Sequence, residues 1–488
     1  MANTTRLYRN ATSEATLKVD RERVTGKFED IAPRCDLVVE GCGQCRRARL
    51  RCHGYRDRQS LLFRDETRST QQKVLARQAS AQSPVPQGME FGWDVRARSM
   101  FLSTYVLGFS HSLGTVAPLC NKASAASHLS ASLEATSLAF MANQLHAPDL
   151  MQLANTSYFN AIQKLGQALE GLSASGAEEA LQSVLLLDQY EKIVHRNPQS
   201  SSSWISHAHG GLSLIGPYAR ELHLSPTGCQ LGARLITSLT VSSAAMAVRV
   251  PAAVKDLRRH LDPYMGGVKW EFLGILVQVV DLQADVHNVG DNYLINLVSR
   301  AEQLDKLLLN LQLKMPSSWR PRQMSPASPH PLIFGTHYEI FADHFITQVN
   351  NGIRVARLIV NNIVMKYTPF DKYESSSCSK ILAAVMDLTQ QICATVPQFL
   401  LPETTSDHTV PFSSLQSLQC CVLLAPLYIT YQASNDILMR DWISQCLTYM
   451  ADTGRMKVAQ DVADLIKSDQ NLDYWLVYAM VGSYGLAA

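Results

Sequence analysis

The residues best suited to chemistry in this chain stand close together. Cys42 and Cys45 are two residues apart, Cys52 follows after six more, and Cys35 precedes by six, giving C-x6-C-x2-C-x6-C. Thiolates are soft donors that favour zinc, and four of them suffice for one closed tetrahedral site. Arg46, Arg47, Arg49 and Arg51 fill the last interval, and Arg56 follows it. Cationic neighbours lower a thiol's pKa, which favours metal capture, and guanidiniums suit phosphate contact. Plainer readings exist for the same residues: free thiols, and a solvated basic stretch or nuclear-import signal. Phosphate contact would place the chain on a nucleic acid without making it read sequence.

Elsewhere the chemistry-bearing residues are sparse. His207 and His209 lie near Trp204, but no carboxylate sits beside them at ligand spacing, so a packing or capping role is expected. Ser110-His111-Ser112 lies between Gly108 and Gly114 yet does not meet G-x-S-x-G. No P-loop, G-x-G-x-x-G or H-E-x-x-H occurs. The pairs Glu178/Glu179 and Asp188/Glu191 read as exposed helix charges. With no catalytic constellation, the chain is expected not to be an enzyme.

What must position these residues is a long chain of ordinary composition. Its 488 residues carry 44 Lys+Arg against 42 Asp+Glu, a net charge of +2, and 46% are hydrophobic. A core of several hundred residues is therefore available. The basic character is local: Arg46 to Arg77 holds ten Lys/Arg and three Asp/Glu, which suggests a polyanion-binding segment on a neutral body. Seven further cysteines (Cys120, Cys229, Cys378, Cys393, Cys420, Cys421 and Cys446) are scattered in apolar helical context. They read as small buried hydrophobes in a reducing compartment, not as a disulfide framework. The N-terminus has no apolar h-region, and Glu14, Asp20, Glu22, Glu29 and Asp30 argue against a mitochondrial presequence. No apolar run of about 18 residues is present, so no membrane span is expected.

Composition divides the chain. Residues 1–34 are polar and aperiodic, a disordered or divergent N-terminus; 35–58 form the cysteine/arginine module; 59–91 form a linker that includes Ser83-Pro-Val-Pro-Gln-Gly88. Residues 92–488 read as helical almost throughout. Leu294, Leu297, Val298, Ala301, Leu304, Leu307, Leu308 and Leu311 make an apolar stripe at helical spacing that ends before Pro316. Val349, Ile353, Ala356, Val360 and Ile363 make another, with polar Asn351, Arg354 and Arg357 offset from it. Further helices are expected near 95–118, 129–145, 150–172, 177–195, 202–215, 231–249, 268–288, 379–397, 411–433, 437–450 and 456–467. Alternating strand patterns are nearly absent. The fold class is all-α: a small Cys-rich N-terminal zinc module, incomplete, followed by a large helical array.

The segment Cys42 to Arg64, with Gly54-Tyr55-Arg56-Asp57 and Leu62-Phe63-Arg64-Asp65-Glu66, resembles the second half of the fungal Zn(II)2Cys6 binuclear-cluster transcription factors. The body is similar to the helical domain that accompanies this module. Leu187-Asp-Gln-Tyr-Glu191 carries that likeness, with Trp204-x2-His207-x2-Gly210, Val250-Pro251 before an amphipathic helix, Pro316-x2-Trp319 and Asn351-x2-Arg354-x2-Arg357. The resemblance covers about residues 35–70 and 90–480. It implies a nuclear regulator of RNA polymerase II transcription of pathway genes, such as secondary-metabolite clusters. It also implies zinc held by Cys35, Cys42, Cys45 and Cys52, and DNA contact at CGG-type sites through Arg46, Arg47, Arg49, Arg51 and Arg56. A homodimer or a partner transcription factor is implied as well.

One departure is specific. The family uses six cysteines for two zinc ions, whereas here Thr25 and Phe28 stand where the first pair would be. Glu29, Asp30 and Pro33 replace the basic helix that reads base triplets. Either the first pair belongs to an exon missing from this sequence, or the protein is genuinely divergent and binds one zinc or none. The alternative to a DNA-reading factor is a co-regulator without autonomous DNA specificity, acting through its helical domain.

Overall fold

The chain divides into two units, Met1–Pro84 and Val85–Ala488. The computed structural model describes residues 92–481 except 174–175, 198–205, 219–220, 289–293, 369–374, 403, 405–407 and 469, and outside that span Arg49 alone. The described body is all-α, with one two-stranded hairpin.

Helix α1 (Trp93–Met100) runs directly into a π-helical turn, Phe101–Leu107, and α2 (Val116–Lys122) follows. The single helix expected over 95–118 is thus broken. Gly108 donates its N–H to Ser103 O at 3.1 Å, and a Cβ there would lie 2.8 Å from Thr104 O, so a glycine is needed. Apolar spacing suggested continuity because Phe109, Leu113 and Val116 are all buried through the irregular turn.

Helices α3 (His128–Leu145) and α4 (Pro148–Leu169) form a tight hairpin. Ser127 caps α3 by accepting from Ser130 N at 3.2 Å, His146 ends it in the left-handed conformation, and Pro148 opens α4 at a position that needs no N–H. Helix α5 (Ala177–Val194) is buried nearly all round, and α6 (Ser206–Ile215) packs on it. Each fully buried leucine of α5, such as Leu181, Leu185 and Leu187, contributes roughly 1.5–3 kcal/mol.

Helix α7 (Pro226–Ala245), capped by Ser225, touches α5 and α6 on one side. On the other it meets α9 (Val268–Asn288) and the late helix α17 (Tyr474–Met480). Between α7 and α9 lies α8 (Ala252–Leu261), which follows Val250-Pro251 as the sequence suggested and buries Val254, Leu257 and Leu261. Helix α10 (Leu294–Leu313) buries Leu297, Ala301, Leu304, Leu308 and Leu311, but Leu307 stays 44% exposed, off the stripe.

The hairpin pairs β1 (Arg322–Met324) with β2 (Tyr338–Ile340), antiparallel, in a region read as a break. Then come α11 (His344–Tyr367), capped by Asp343, and α12 (Ser375–Ala394). The single turn α13 (Pro397–Leu400) precedes α14 (Ser414–Ala433), which carries Pro426 in its interior. Helices α15 (Ile437–Asp452) and α16 (Lys457–Lys467) match expectation. Helix α17 was not expected, because seven residues rich in aromatics show no distinctive period. Helices α11 and α14 are buried much as α5 is, and the buried apolar residues form one contiguous core. Among the described residues, no helix is long and apolar enough to cross a membrane.

Candidate functional site

The N-terminal site residues Cys35, Cys42, Cys45, Cys52, Arg46, Arg47, Arg51 and Arg56 lie outside the described residues. Arg49 is exposed, in a turn, with φ 51. Among the described residues no three His, Cys, Asp or Glu side chains converge as a metal site. Cys229, Cys393, Cys420, Cys421 and Cys446 are free and buried, Cys120 is half-buried, and the Cys378 side chain lies outside the described residues. Burial pushes the Cys120 thiol up to about 11 and that of Cys421 to about 12, so both stay protonated and inert.

The polar residues of the body gather instead around α5. Asp188 and Glu191, read as exposed charges, are 4% and 3% exposed. Charge alone suggested a solvated face, whereas α5 is enclosed by α3, α4, α6 and α7, so each polar residue needs a protein partner. Lys192 Nζ lies 2.7 Å from Asp188 Oδ2 and 2.6 Å from Ser238 Oγ on α7. Burial lowers the Lys192 pKa even so, although the Asp188 charge opposes the shift. Gln189 donates to Tyr105 OH at 2.9 Å and accepts from Arg234 Nη2 at 3.1 Å.

On the next face Tyr158 OH donates to Glu191 Oε1 and meets His207 Nε2 at 2.7 Å. Tyr158 also stacks on Tyr190, ring centroids 4.2 Å apart, and Tyr190 OH donates to Asn155 Oδ1 at 2.5 Å. Burial, then the Glu191 charge, holds the Tyr158 hydroxyl well above its ordinary pKa. His207 therefore has a packing role, as expected, but through a carboxylate brought from α5 that sequence spacing could not show. His209 has its pKa lowered by burial.

Between α7, α9, α11, α14 and α17 lies an inner chamber, and beside it, against α5, α7 and α9, an outer one; Thr237, Lys269 and Leu273 line both. The inner chamber is apolar, walled by Phe272, Leu276, Val349, Val422, Tyr474 and Tyr478, and is small, with a cavity volume of about 90 Å3. Gly352 makes room for the Phe272 ring, since a Cβ there would sit 3.1 Å from its Cε1. Pro426 leaves α14 without one backbone N–H at the cavity wall, and Thr430 Oγ1 donates to the Pro426 carbonyl at 2.8 Å.

The outer chamber is mixed: His111, Asp188, Gln189, Arg234, Ser238 and Lys269 line it together with Ala233, Met265, Trp270 and Leu273. Arg234 makes one hydrogen bond among the described residues, to Gln189, and its Nη1 has no partner. Lys269 makes no hydrogen bond or ion pair there; its ammonium stands 5.5 Å from the centre of the Phe345 ring. Burial, with the nearby Arg234 charge, pulls the Lys269 pKa down to about 8. Ser110 Oγ lies 3.2 Å from Ser112 Oγ, and the His111 ring stacks on Phe345 at 4.6 Å.

A third polar set sits on α11. Asn351, Arg354 and Arg357, offset from the apolar stripe, are 0%, 4% and 7% exposed. Arg354 pairs with Glu339 on β2 at 2.7 Å and also bonds Gln391 and Asn351. Arg357 grips Asp305 of α10 with two nitrogens, at 2.8 and 3.3 Å. The hairpin that sequence reading missed thus delivers the counter-ion to Arg354. Arg234 and Lys269 were missed as well. Both sit on helices whose apolar periodicity is otherwise regular, and nothing in their spacing links residue 234 to 269.

Comparison with known protein families, with curated proteins and with solved structures finds no match to this chain.

Proposed function

We propose that this protein is a nuclear transcription regulator of the zinc-cluster class, with an N-terminal module that contacts DNA and a helical body that governs its activity. The observation that carries the reading is the C-x6-C-x2-C-x6-C array with Arg46, Arg47, Arg49 and Arg51 in its last interval. Cys35, Cys42, Cys45 and Cys52 offer four soft thiolate donors, the set that one tetrahedral zinc requires. The arginines supply phosphate contact, which positions a protein on a duplex. The all-α body is of the fold class that the resemblance implies.

The test is zinc content and DNA binding of the full chain. About one zinc per chain is expected, lost in a Cys42→Ser/Cys45→Ser variant. A CGG-containing duplex is expected to bind more tightly than a scrambled one at the same salt concentration. Equal, salt-sensitive binding to both duplexes would remove specific readout while leaving phosphate contact in place.

A second reading has its own observation. Thr25 and Phe28 replace the first cysteine pair of the resembled family, and Glu29 and Asp30 would repel phosphate. A co-regulator acting through its helical domain on another factor accounts for that loss. It predicts that reporter output survives deletion of residues 1–58 and vanishes in a strain lacking the partner factor.

A further inference from the structure

We infer that the cavity between α7, α9, α11, α14 and α17 binds a small amphipathic carboxylate, its head between Arg234 and Lys269 and its apolar body among Phe272, Tyr474 and Tyr478.

The charge balance of the outer chamber points to an anion. Arg234 and Lys269 line it against Asp188, the one acid among the chamber-lining residues, and that acid is already engaged by Lys192 and Ser238. Cations enclosed by protein are normally paired, because desolvation penalises each one separately. Here Arg234 has an unused Nη1 and Lys269 has no acceptor, although both reach the same space. A carboxylate placed between them would satisfy donors from two helices with one group, and an arginine can bind it bidentately.

The adjoining chamber specifies the rest of the molecule. Its walls from Leu276 and Val422 to Tyr478 are apolar or aromatic, and Thr237 and Leu273 are common to both chambers. An anionic head in the outer chamber therefore stands next to the apolar wall. The binding walls come from several helices, including α7, which touches α5, α6, α9 and α17, so occupancy would brace their packing. This gives the proposed regulator an effector site, yet it concerns the helical body alone and is tested without nucleic acid, so the two proposals fail separately.

The experiment is thermal unfolding of the full chain, with decanoate and naphthylacetate set against their neutral counterparts decanol and naphthylethanol. The acids are expected to raise Tm saturably and the alcohols much less. Arg234→Gln and Lys269→Gln are each expected to weaken acid binding by about tenfold or more, while Lys269→Gln alone melts no lower than the unaltered protein. That second result separates a binding role from a structural one.

A pH series needs no variant. Acid affinity should fall as pH rises through about 8, where Lys269 loses its charge. The other groups facing the site do not imitate this step. Burial lowers the Arg234 pKa, but a guanidinium stays charged in a protein. His344 beside His111 has its pKa lowered, and burial holds Tyr474 and Tyr478 protonated. Lys192 is distinguished by its absence from the Lys269→Gln effect: that variant should lose the step. If neither acid raises Tm, if the alcohols do so equally, or if both variants bind the acids unchanged, the inference is overturned.

Discussion

Two sets of cationic side chains in this molecule, one buried and one half-buried, are treated in opposite ways. On α11, the Arg354 nitrogens meet Glu339, Gln391 and Asn351, and those of Arg357 meet Asp305 and Gln312. Beside the cavity, Arg234 makes one hydrogen bond and Lys269 makes none among the described residues. The first set ties α11 to β2, α10 and α12, and its geometry leaves nothing for a ligand to add. The second lies at the junction of α7 and α9, next to open space, and leaves donors unspent. The contrast teaches that a buried charge is a structural element when its partners are complete and a candidate binding element when they are not.

The largest expected effect lies on the complete side. Arg354→Ala leaves the Glu339 carboxylate buried without its partner and should cost about 3–5 kcal/mol, read from urea unfolding. Removing Glu339 as well should restore much of it. A loss below about 1 kcal/mol would mean that the pair behaves as a surface ion pair, and the contrast would collapse.

An intermediate effect is expected at the cluster around Tyr158. Tyr158→Phe removes the hydroxyl that Glu191 and His207 share and should cost about 1–3 kcal/mol, again by urea unfolding. No change would show that water replaces the hydroxyl, making the α4–α5–α6 cluster looser than its distances imply.

The smallest effect has the opposite sign. Lys269→Gln removes a cation that lacks an acceptor and should stabilise the ligand-free protein by on the order of 1 kcal/mol. Its pH dependence fixes the sign independently. The Lys269 pKa is about 8 in the fold and 10.5 for a free lysine, so the unfolded chain holds the extra proton between those values. Stability therefore rises with pH across that window in the unaltered protein relative to Lys269→Gln. The deficit is fully present below about 8 and gone above about 10.5. A Lys269→Gln protein that is less stable at neutral pH would place Lys269 with the paired arginines.

Much of the fold was legible residue by residue. The stripes Leu297 to Leu311 and Val349 to Ile363 predicted α10 and α11, because a one-sided apolar period leaves few other ways to bury the same residues. Caps such as Ser225 before Pro226 and Asp343 before His344 are local chemistry and act where they stand. What misled was charge on helices buried all round. Asp188 and Glu191 look like solvated residues in isolation, and only the surrounding helices show that they are enclosed. The Gly108 break was hidden for a similar reason, since apolar side chains on either side of it reach the same core.

The sequence by itself determined most of the helices and the clustered thiols and guanidiniums of residues 35–56, because periodicity and ligand spacing are properties of neighbours along the chain. Tertiary structure alone decided which polar residues meet. Glu191 joins Tyr158 and His207 across three helices, Glu339 reaches Arg354 by way of a hairpin, and Arg234 and Lys269 share a cavity. Pairing of buried charge depends on distances through space, and those are set only once the helices have packed.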